Sequence, residues 1–355
     1  MKKFKPFSMM MILMVTLFAV AITGCKKDDD DEEITVDKTE LQAKINVAET
    51  MLNDAVEGTA EGQYQYGSKA VFETKINLAK TVNANEAATQ VQVDAAVTAL
   101  NQAITEFESK KVTPIVPEAL VGHWTFDEGE GTTVNDFSGK NFNGTLKTGH
   151  EFFGAGFPEW ATDRYGNETK ALYFNQGANV EIPYNAQLNP QEITISLWMK
   201  PDVLDVPWAN NYMVSMKRWD GYKLQLQDAP KVFFTVKALN AGEEVWHDRD
   251  NESPTIDLGE WYHVAVSFKN NEMAFYLDGT LVKLWDNTPG TAITLSEPMN
   301  LIFGQDLPTS VYTGPDGDYN VEWGGYFQGI LDEIRIYNTA LTSAQIESIY
   351  NVEKP

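Results

Sequence analysis

The chain of 355 residues has one cysteine, four histidines and little positive charge, with 27 lysines and arginines against 51 acids. A single cysteine excludes an internal disulfide. The histidines form no zinc-spaced cluster, and the sequence has no Gly-x-Ser-x-Gly elbow, so neither a zinc centre nor a nucleophilic triad is legible. A net charge of -24 makes nucleic acid and anionic headgroups poor partners for the body of the protein. Neutral glycans remain compatible with it. Only one long apolar run is present, from Phe7 to Ile22, and it is short against the ~20 residues that a membrane-spanning helix needs.

That run follows Lys2, Lys3 and Lys5 and precedes Ile22-Thr23-Gly24-Cys25, so residues 1–24 read as a secretory signal peptide. The junction resembles the lipobox of bacterial lipoproteins, which implies that Cys25 carries the lipid and becomes the first residue of the mature protein. Each buried acyl methylene contributes ~0.8 kcal/mol to anchoring. Lys26-Lys27 and the acids from Asp28 to Glu33 are too charged to collapse and make residues 25–36 a solvated tether. The acidic run is similar to the export signal of many Bacteroidota surface lipoproteins. The resemblance implies a protein anchored in the outer membrane, facing outward and meeting the membrane through its N-terminal lipid alone. Loss of the three signal lysines takes the charge from -24 to about -27.

Residues 37–110 read as three helices. Asp37-x-x-Glu40 suggests a capping box, and Leu41, Ile45, Ala48, Leu52 and Ala55 recur on one helical face. Phe72, Ile76 and Ala79 mark a second helix starting near Ser68, and Val93, Val97, Leu100, Ile104 and Phe107 mark a third. Three amphipathic helices with short connections bury their stripes against one another, giving a three-helix bundle. Tyr64 and Tyr66 either pack between the helices or serve an exposed binding surface. The wording "LQAKINVAETMLNDAVEG" and "VDAAVTALNQAITEF" resembles the FIVAR-type helical modules of bacterial surface proteins, for which a spacer role is expected.

Pro114 and Pro117 break and stiffen a linker at 111–118, and the periodicity then changes to two. In "ITISLWMKP", Ile193, Ile195, Leu197 and Met199 alternate with Thr194, Ser196, Trp198 and Lys200. Further short strands follow, with Asn270-Asn271 and Asp278-Gly279 as turns. The expected fold class is mainly β, a sandwich over residues 119–355 preceded by the bundle. One late helix is expected in "LTSAQIESIY", with Thr342-x-x-Gln345 as its capping box and Ile346, Ile349 and Tyr350 docking it.

The blocks "LVGHWTFDEGEGTTVNDFSGKNFNGTL", "ALYFNQGANVEIPY", "ITISLWMKP", "LGEWYHVAVSF", "FYLDGTLV" and "YFQGILDEIRIYNTALTSAQIESIY" resemble, in this order, a laminin G-like domain of the concanavalin A-like jelly-roll superfamily. The resemblance implies two curved antiparallel sheets and, in many relatives, a glycan or protein ligand, often beside calcium. Such a fold hosts lectins, adhesion domains and glycosidases alike, so function must be argued from residues.

A glycosidase needs two carboxylates across a cleft. The Glu-x-Asp-x-x-Glu motif of laminarinase-like relatives is absent, and adjacent Asp332 and Glu333 should point to opposite faces of a strand. His263 falls in a strand, where packing and exposure are both open, and His247 reads as a loop residue beside Asp248 and Asp250. The resemblance implies a structural calcium shared by Asp136 and Asp332; alternatively Asp136 caps a turn and Asp332 pairs with an arginine. Asp316 and Asp318 in "GPDGDYN" alternate like calcium ligands, but they lack the remainder of an EF-hand loop. For sugars, flat apolar faces are offered by Trp160, Trp208, Trp219, Trp246 and Trp323, with Trp285 beside them, interleaved with Asn, Asp, Arg and Gln. Three readings follow: non-catalytic carbohydrate binding, a protein-binding adhesion module, and a divergent glycosidase.

Overall fold

The computed structural model describes residues 35–58, 62–112, 114–204, 210–227 and 230–355. The signal segment, Cys25, most of the acidic tether and Trp208 lie outside the described residues.

Helices α1 (Thr39–Asp54), α2 (Ser68–Ala84) and α3 (Gln90–Ser109) form the bundle. Leu41, Ile45, Phe72, Ile76, Val93, Leu100 and Phe107 close its core. The helical stripes read from spacing are thus the buried faces. Tyr64 packs rather than projects: its ring stacks on Phe107 at 4.2 Å and its hydroxyl donates to Glu108 at 2.6 Å. Tyr66 is exposed. The expected box at Asp37 is not formed, because α1 starts one residue later than that spacing requires. Asp37 Oδ1 instead accepts from the Thr39 amide at 2.9 Å, whereas complete boxes cap α3 through Thr89 and Gln92 and the C-terminal helix α4 (Ser343–Glu353) through Thr342 and Gln345.

Two antiparallel sheets make up the sandwich. The first contains β1 (Leu120–Trp124), β4 (Glu159–Ala161), β5 (Ala171–Phe174), β7 (Ile193–Pro201), β12 (Tyr262–Lys269), β13 (Glu272–Leu277), β14 (Thr280–Trp285) and β17 (Gly329–Tyr337). The second contains β2 (Thr133–Val134), β3 (Gly144–Lys147), β6 (Asn179–Ile182), β8 (Asn211–Met216), β9 (Tyr222–Gln227), β10 (Lys231–Asn240), β11 (Glu243–Asp250), β15 (Thr291–Ala292) and β16 (Leu301–Phe303). Its strands run in the order β11-β10-β9-β8-β16-β6-β3-β2. Inward-facing residues of both sheets, among them Ile195, Leu197, Val264, Val266, Leu224, Phe234 and Phe303, share one core, as period-two alternation requires.

The first sheet's outer face is buried too, because α4 covers it. Trp198 donates from Nε1 to Glu353 at 2.9 Å and stacks near Tyr350 at 5.8 Å. Glu353 also pairs with Arg335, and its carbonyl accepts from Arg164 Nε at 2.7 Å. Here one expectation fails. A bulge in β17, with Glu333 at φ 53° and the register against β7 shifted between Asp332 and Arg335, turns both acids toward Arg164, at 2.5 and 4.0 Å. An adjacent pair separates across a strand only while the pleat is regular.

Burial pushes the Asp332 carboxyl up to about 8 against the pull of Arg164. Glu333 is held low instead: burial works against its charge, but the His123 hydrogen bond and Arg335 outweigh it.

His263 is fully buried, held to Ser196 Oγ at 2.8 Å beneath Trp198 and Tyr350. Burial, helped by Arg335 and Arg164, pushes its imidazole down to about 3. The unfolded chain, with a histidine near its ordinary value, therefore binds the extra proton first. Stability should fall as the pH drops from about 6.5 toward 3, by a few kcal/mol from this residue. Urea unfolding at pH 7 and pH 4 checks this: His263→Phe should lose less stability over the interval than the parent.

Candidate functional site

The second sheet's outer face is assembled from alternate residues of β8 to β11. One row across it holds Ser215, Lys223, Thr235 and Asp248, and the next holds Tyr212, Gln225, Phe233 and Asp250. Tyr212, Lys223, Gln225 and Thr235 are nonetheless buried, so this polar surface is a floor and not a solvent face.

One wall comes from residues 304–328, which follow β16. Gly304 adopts φ +86°, and a Cβ there would lie 2.3 Å from Phe174, so glycine suits this turn both conformationally and sterically. Asp306 then meets the β8–β9 turn. Its carboxylate accepts from Arg218 Nε at 2.5 Å, from the Tyr312 hydroxyl and from the Gly325 amide at 3.1 Å. Its carbonyl accepts from Ser215 Oγ at 2.7 Å. Both Arg218 and Asp306 are buried. Burial and the neighbouring Asp306 charge hold the Tyr312 phenol well above its ordinary range. Lys217 and Arg218 both have positive φ, 58° and 46°, a strained conformation for side chains of this kind that surrounding contacts must maintain.

The same turn carries Trp219. Its carbonyl accepts from Trp246 Nε1 of β11 at 2.9 Å, and its ring lies 6.4 Å from that of Trp323 on the wall. These rings remain 39, 47 and 47% exposed respectively. Arg218 underlies Trp219 at 5.0 Å, and Lys237 lies 4.7 Å from Trp246. Three of the five tryptophans singled out in the sequence thus share one rim beside a polar floor.

Trp160 lies apart, on β4 of the first sheet, where it packs against the core. Trp285 bounds a depression of about 370 Å³ that continues the floor past Phe233 and Asp248. Trp285 Nε1 donates to the Asp250 carbonyl at 2.9 Å, and Arg249 and Lys283 lie over its ring at 5.1 and 4.1 Å.

The acidic candidates have separate surroundings. Asp136 takes four donors: the amides of His123, Ser138 and Phe142 and the Ser138 hydroxyl, at 2.8–2.9 Å. Asp332 is tied to Arg164 on the far sheet. Asp316 and Asp318 are exposed on the wall segment. Among the described residues, no group of three or more His, Cys, Asp or Glu is placed to hold a metal ion. His247, expected in a loop, lies on β11 with its side chain turned inward, 2.8 Å from the Pro289 carbonyl; the charged stretch that suggested a loop is itself paired with β10 as far as Asp250.

Sequence reasoning missed the floor. "YKLQLQ" alternates Lys223, Gln225 and Gln227 against Tyr222, Leu224 and Leu226, a signal for an outer polar face. Nothing in that strand reveals that another segment walls it.

Residues 174–347 match the family model described as the concanavalin A-like lectin/glucanases superfamily. The adhesion G-protein coupled receptor V1 of Danio rerio is 26% identical over 193 residues, 52% of this chain but only 3% of the receptor. Among solved structures, domain 4 of the extracellular arabinanase AbnA of Geobacillus stearothermophilus, in complex with arabinotriose, is 22% identical. The match covers 65% of this chain and 98% of that one, with a TM-score of 0.47. The binding domain of Paraclostridial Mosquitocidal Protein 1 is 18% identical, with 67% of this chain and 53% of that one covered and a TM-score of 0.47.

Removing the Asp306 carboxylate strands a buried guanidinium. Asp306→Ala should therefore cost about 3–5 kcal/mol in urea unfolding, whereas Trp323→Ala, at the exposed rim, should cost less than about 1 kcal/mol. The C-terminal domain is a concanavalin A-like jelly roll preceded by a bundle of helices.

Proposed function

We propose that this protein captures carbohydrate at the cell surface, anchored by lipid at Cys25, with the second sheet's outer face as its ligand surface. The observation that carries this reading is the gathering of Trp219, Trp246 and Trp323, from a turn, a strand and the wall, beside buried polar side chains. Exposed aromatic faces suit the apolar faces of sugar rings, and a few fixed polar groups suit their hydroxyls. The depression at Trp285 extends the surface along β10 and β11, which favours an oligosaccharide over a single sugar.

Binding without bond cleavage is favoured by the engagement of carboxylates beside the floor, Asp250 being paired with Lys231 at 3.5 Å. Asp306 is engaged by Arg218, Tyr312 and Gly325, and Asp248 accepts from Thr235 Oγ1 at 2.5 Å. Glu252 pairs with Lys283, so these carboxylates are committed to structural partners rather than poised across a cleft for acid and base work. The acidic tether and the helical bundle would hold the domain away from the membrane, and many copies on one surface would make weak single contacts effective.

The protein-adhesion reading finds support in a groove of about 550 Å³ between α2 and α3, lined by Leu78, Val82, Ala95 and Ala99. Polar side chains, among them Lys75, Gln92, Gln102 and Glu106, also line it, but none of the tryptophans does.

A glycan array probed with the purified protein, with calcium and with chelator, separates these readings. Saccharide binding that falls about tenfold or more in each of Trp219→Ala, Trp246→Ala and Trp323→Ala is expected, tenfold being ~1.4 kcal/mol. Binding that ignores all three would move the site elsewhere. Absence of saccharide binding in both conditions would leave adhesion as the stronger reading. Loss of binding in chelator alone would implicate calcium, with Asp136, Asp332, Asp316 and Asp318 as the ligands to test.

A further inference from the structure

The helical bundle has an open trough along two of its helices. The groove of about 550 Å³ between α2 and α3 and a second depression of about 350 Å³, which ends against Glu347 and Asn351 of α4, share Lys75, Ala103 and Glu106 in their linings. The two are therefore one continuous trough, and α1 lines neither. α2 spans 17 residues, which gives the trough a length of about 25 Å. Its floor includes Phe72, Ala79, Leu100 and Phe107, all of the bundle's core. Val71 and Leu78 project beside that floor and are each 61% exposed. An apolar trough of this length on a helical face marks an interaction surface.

Its two ridges indicate what covers it. The α2 ridge carries the large side chains Val71 and Leu78, whereas the α3 ridge recedes to Ala95 and Ala99, both exposed. A projecting ridge packs on a receding one, so the trough holds both halves of one complementary contact. Charge divides between the ridges in the same way. Lys75 of α2 and Glu106 of α3 stand at the level where the two depressions meet, and neither has an ion-pair partner among the described residues. Lys110, just beyond α3, is already matched by Glu347. A cation on one ridge and an anion on the other, both unpaired, are complementary to the same surface turned upon itself.

We infer that this trough is covered by the same trough of a second copy of the chain, α2 of each copy lying on α3 of the other, so that the two bundles pair through a shared four-helix core. A twofold axis running along the trough achieves this. It keeps each residue at its own height and exchanges the ridges, which sets Lys75 opposite the partner's Glu106 and Leu78 over the partner's alanines. Because α2 and α3 run antiparallel, the facing helices do so too, as in up-and-down bundles. The same axis fixes the topology of the pair. Thr35 and Asp37 lie beside Asn83 at one end of the bundle and α4 meets the other, so both N-termini leave the pair at one end and both sandwiches at the opposite end. Two chains anchored by lipid in one membrane can pair in this way, and anchoring raises their effective concentration. The net charge of -24 on each chain opposes association at long range, so the pair is held by the contacts in the trough.

The test is sedimentation equilibrium of the purified protein over about a hundredfold range of concentration, because a dimer forms by mass action. A monomer–dimer equilibrium is expected. Ala99→Arg, at an exposed position that faces the partner's Leu78, should weaken it about tenfold or more while leaving the far-ultraviolet circular dichroism unchanged. Lys75→Glu and Glu106→Lys should each weaken it by bringing like charges together, and the double variant should restore it, a recovery that a damaged fold would not show. A protein that stays monomeric at every concentration overturns the inference and leaves the trough to a helix of another protein. A dimer indifferent to Ala99→Arg, or one weakened by both single reversals and not restored by the double variant, overturns it as well. Trp219, Trp246 and Trp323 lie on the sandwich, so saccharide binding by Ala99→Arg should match that of the parent, and this inference and the carbohydrate reading fail separately.

Discussion

The buried pair of Arg218 and Asp306 is the interaction on which the outer face of the second sheet depends. Asp306 belongs to the long segment after β16 and Arg218 to the turn between β8 and β9, so their contact ties wall to floor. Two charges taken out of water stabilise a structure only when their remaining hydrogen-bonding capacity is also met. Tyr312, Gly325 and Ser215 provide partners here. The strained backbone at Lys217 and Arg218 is held in place by the same contacts, and Trp219 is presented at the rim as a consequence.

The two outer faces of the sandwich have met the same problem in different ways. A sheet face of mixed polar and aromatic character must be solvated, covered or partnered. On the first sheet the chain covers it, laying α4 over Trp198, His263 and Arg335, with Trp198 and Arg335 both bonded to Glu353 and His263 to Ser196. On the second, residues 304–328 cover only part, leaving three tryptophans exposed at a rim. Exposed aromatic rings on one face, against self-coverage on the other, distinguish the candidate ligand surface from the structural one.

Local periodicity made much of this legible. The three helical stripes, the alternation of β7 and the capping box of α4 all follow from side-chain spacing, because helix and strand each place residues on faces at a fixed period. Tryptophans interleaved with polar residues are visible in the sequence as candidate sugar platforms, and Trp219, Trp246 and Trp323 do come together. Their neighbours were not legible, since Lys223 and Tyr212 acquire meaning only when a segment about ninety residues downstream folds across them. The bulge at Glu333 was equally hidden, for it is a departure from the period on which the reading of Asp332 and Glu333 relied. Trp160 shows the converse: an aromatic set among polar residues can still belong to the core side of an edge strand.

Hydrogen–deuterium exchange of the protein with and without an oligosaccharide selected from the array would test the location of the ligand surface most directly. Protection gathered in residues 210–227, 244–250 and 304–325, with the α4 face and the helical bundle unchanged, is the expected result. Protection confined to the bundle groove, or to the loops around Asp136, would contradict it.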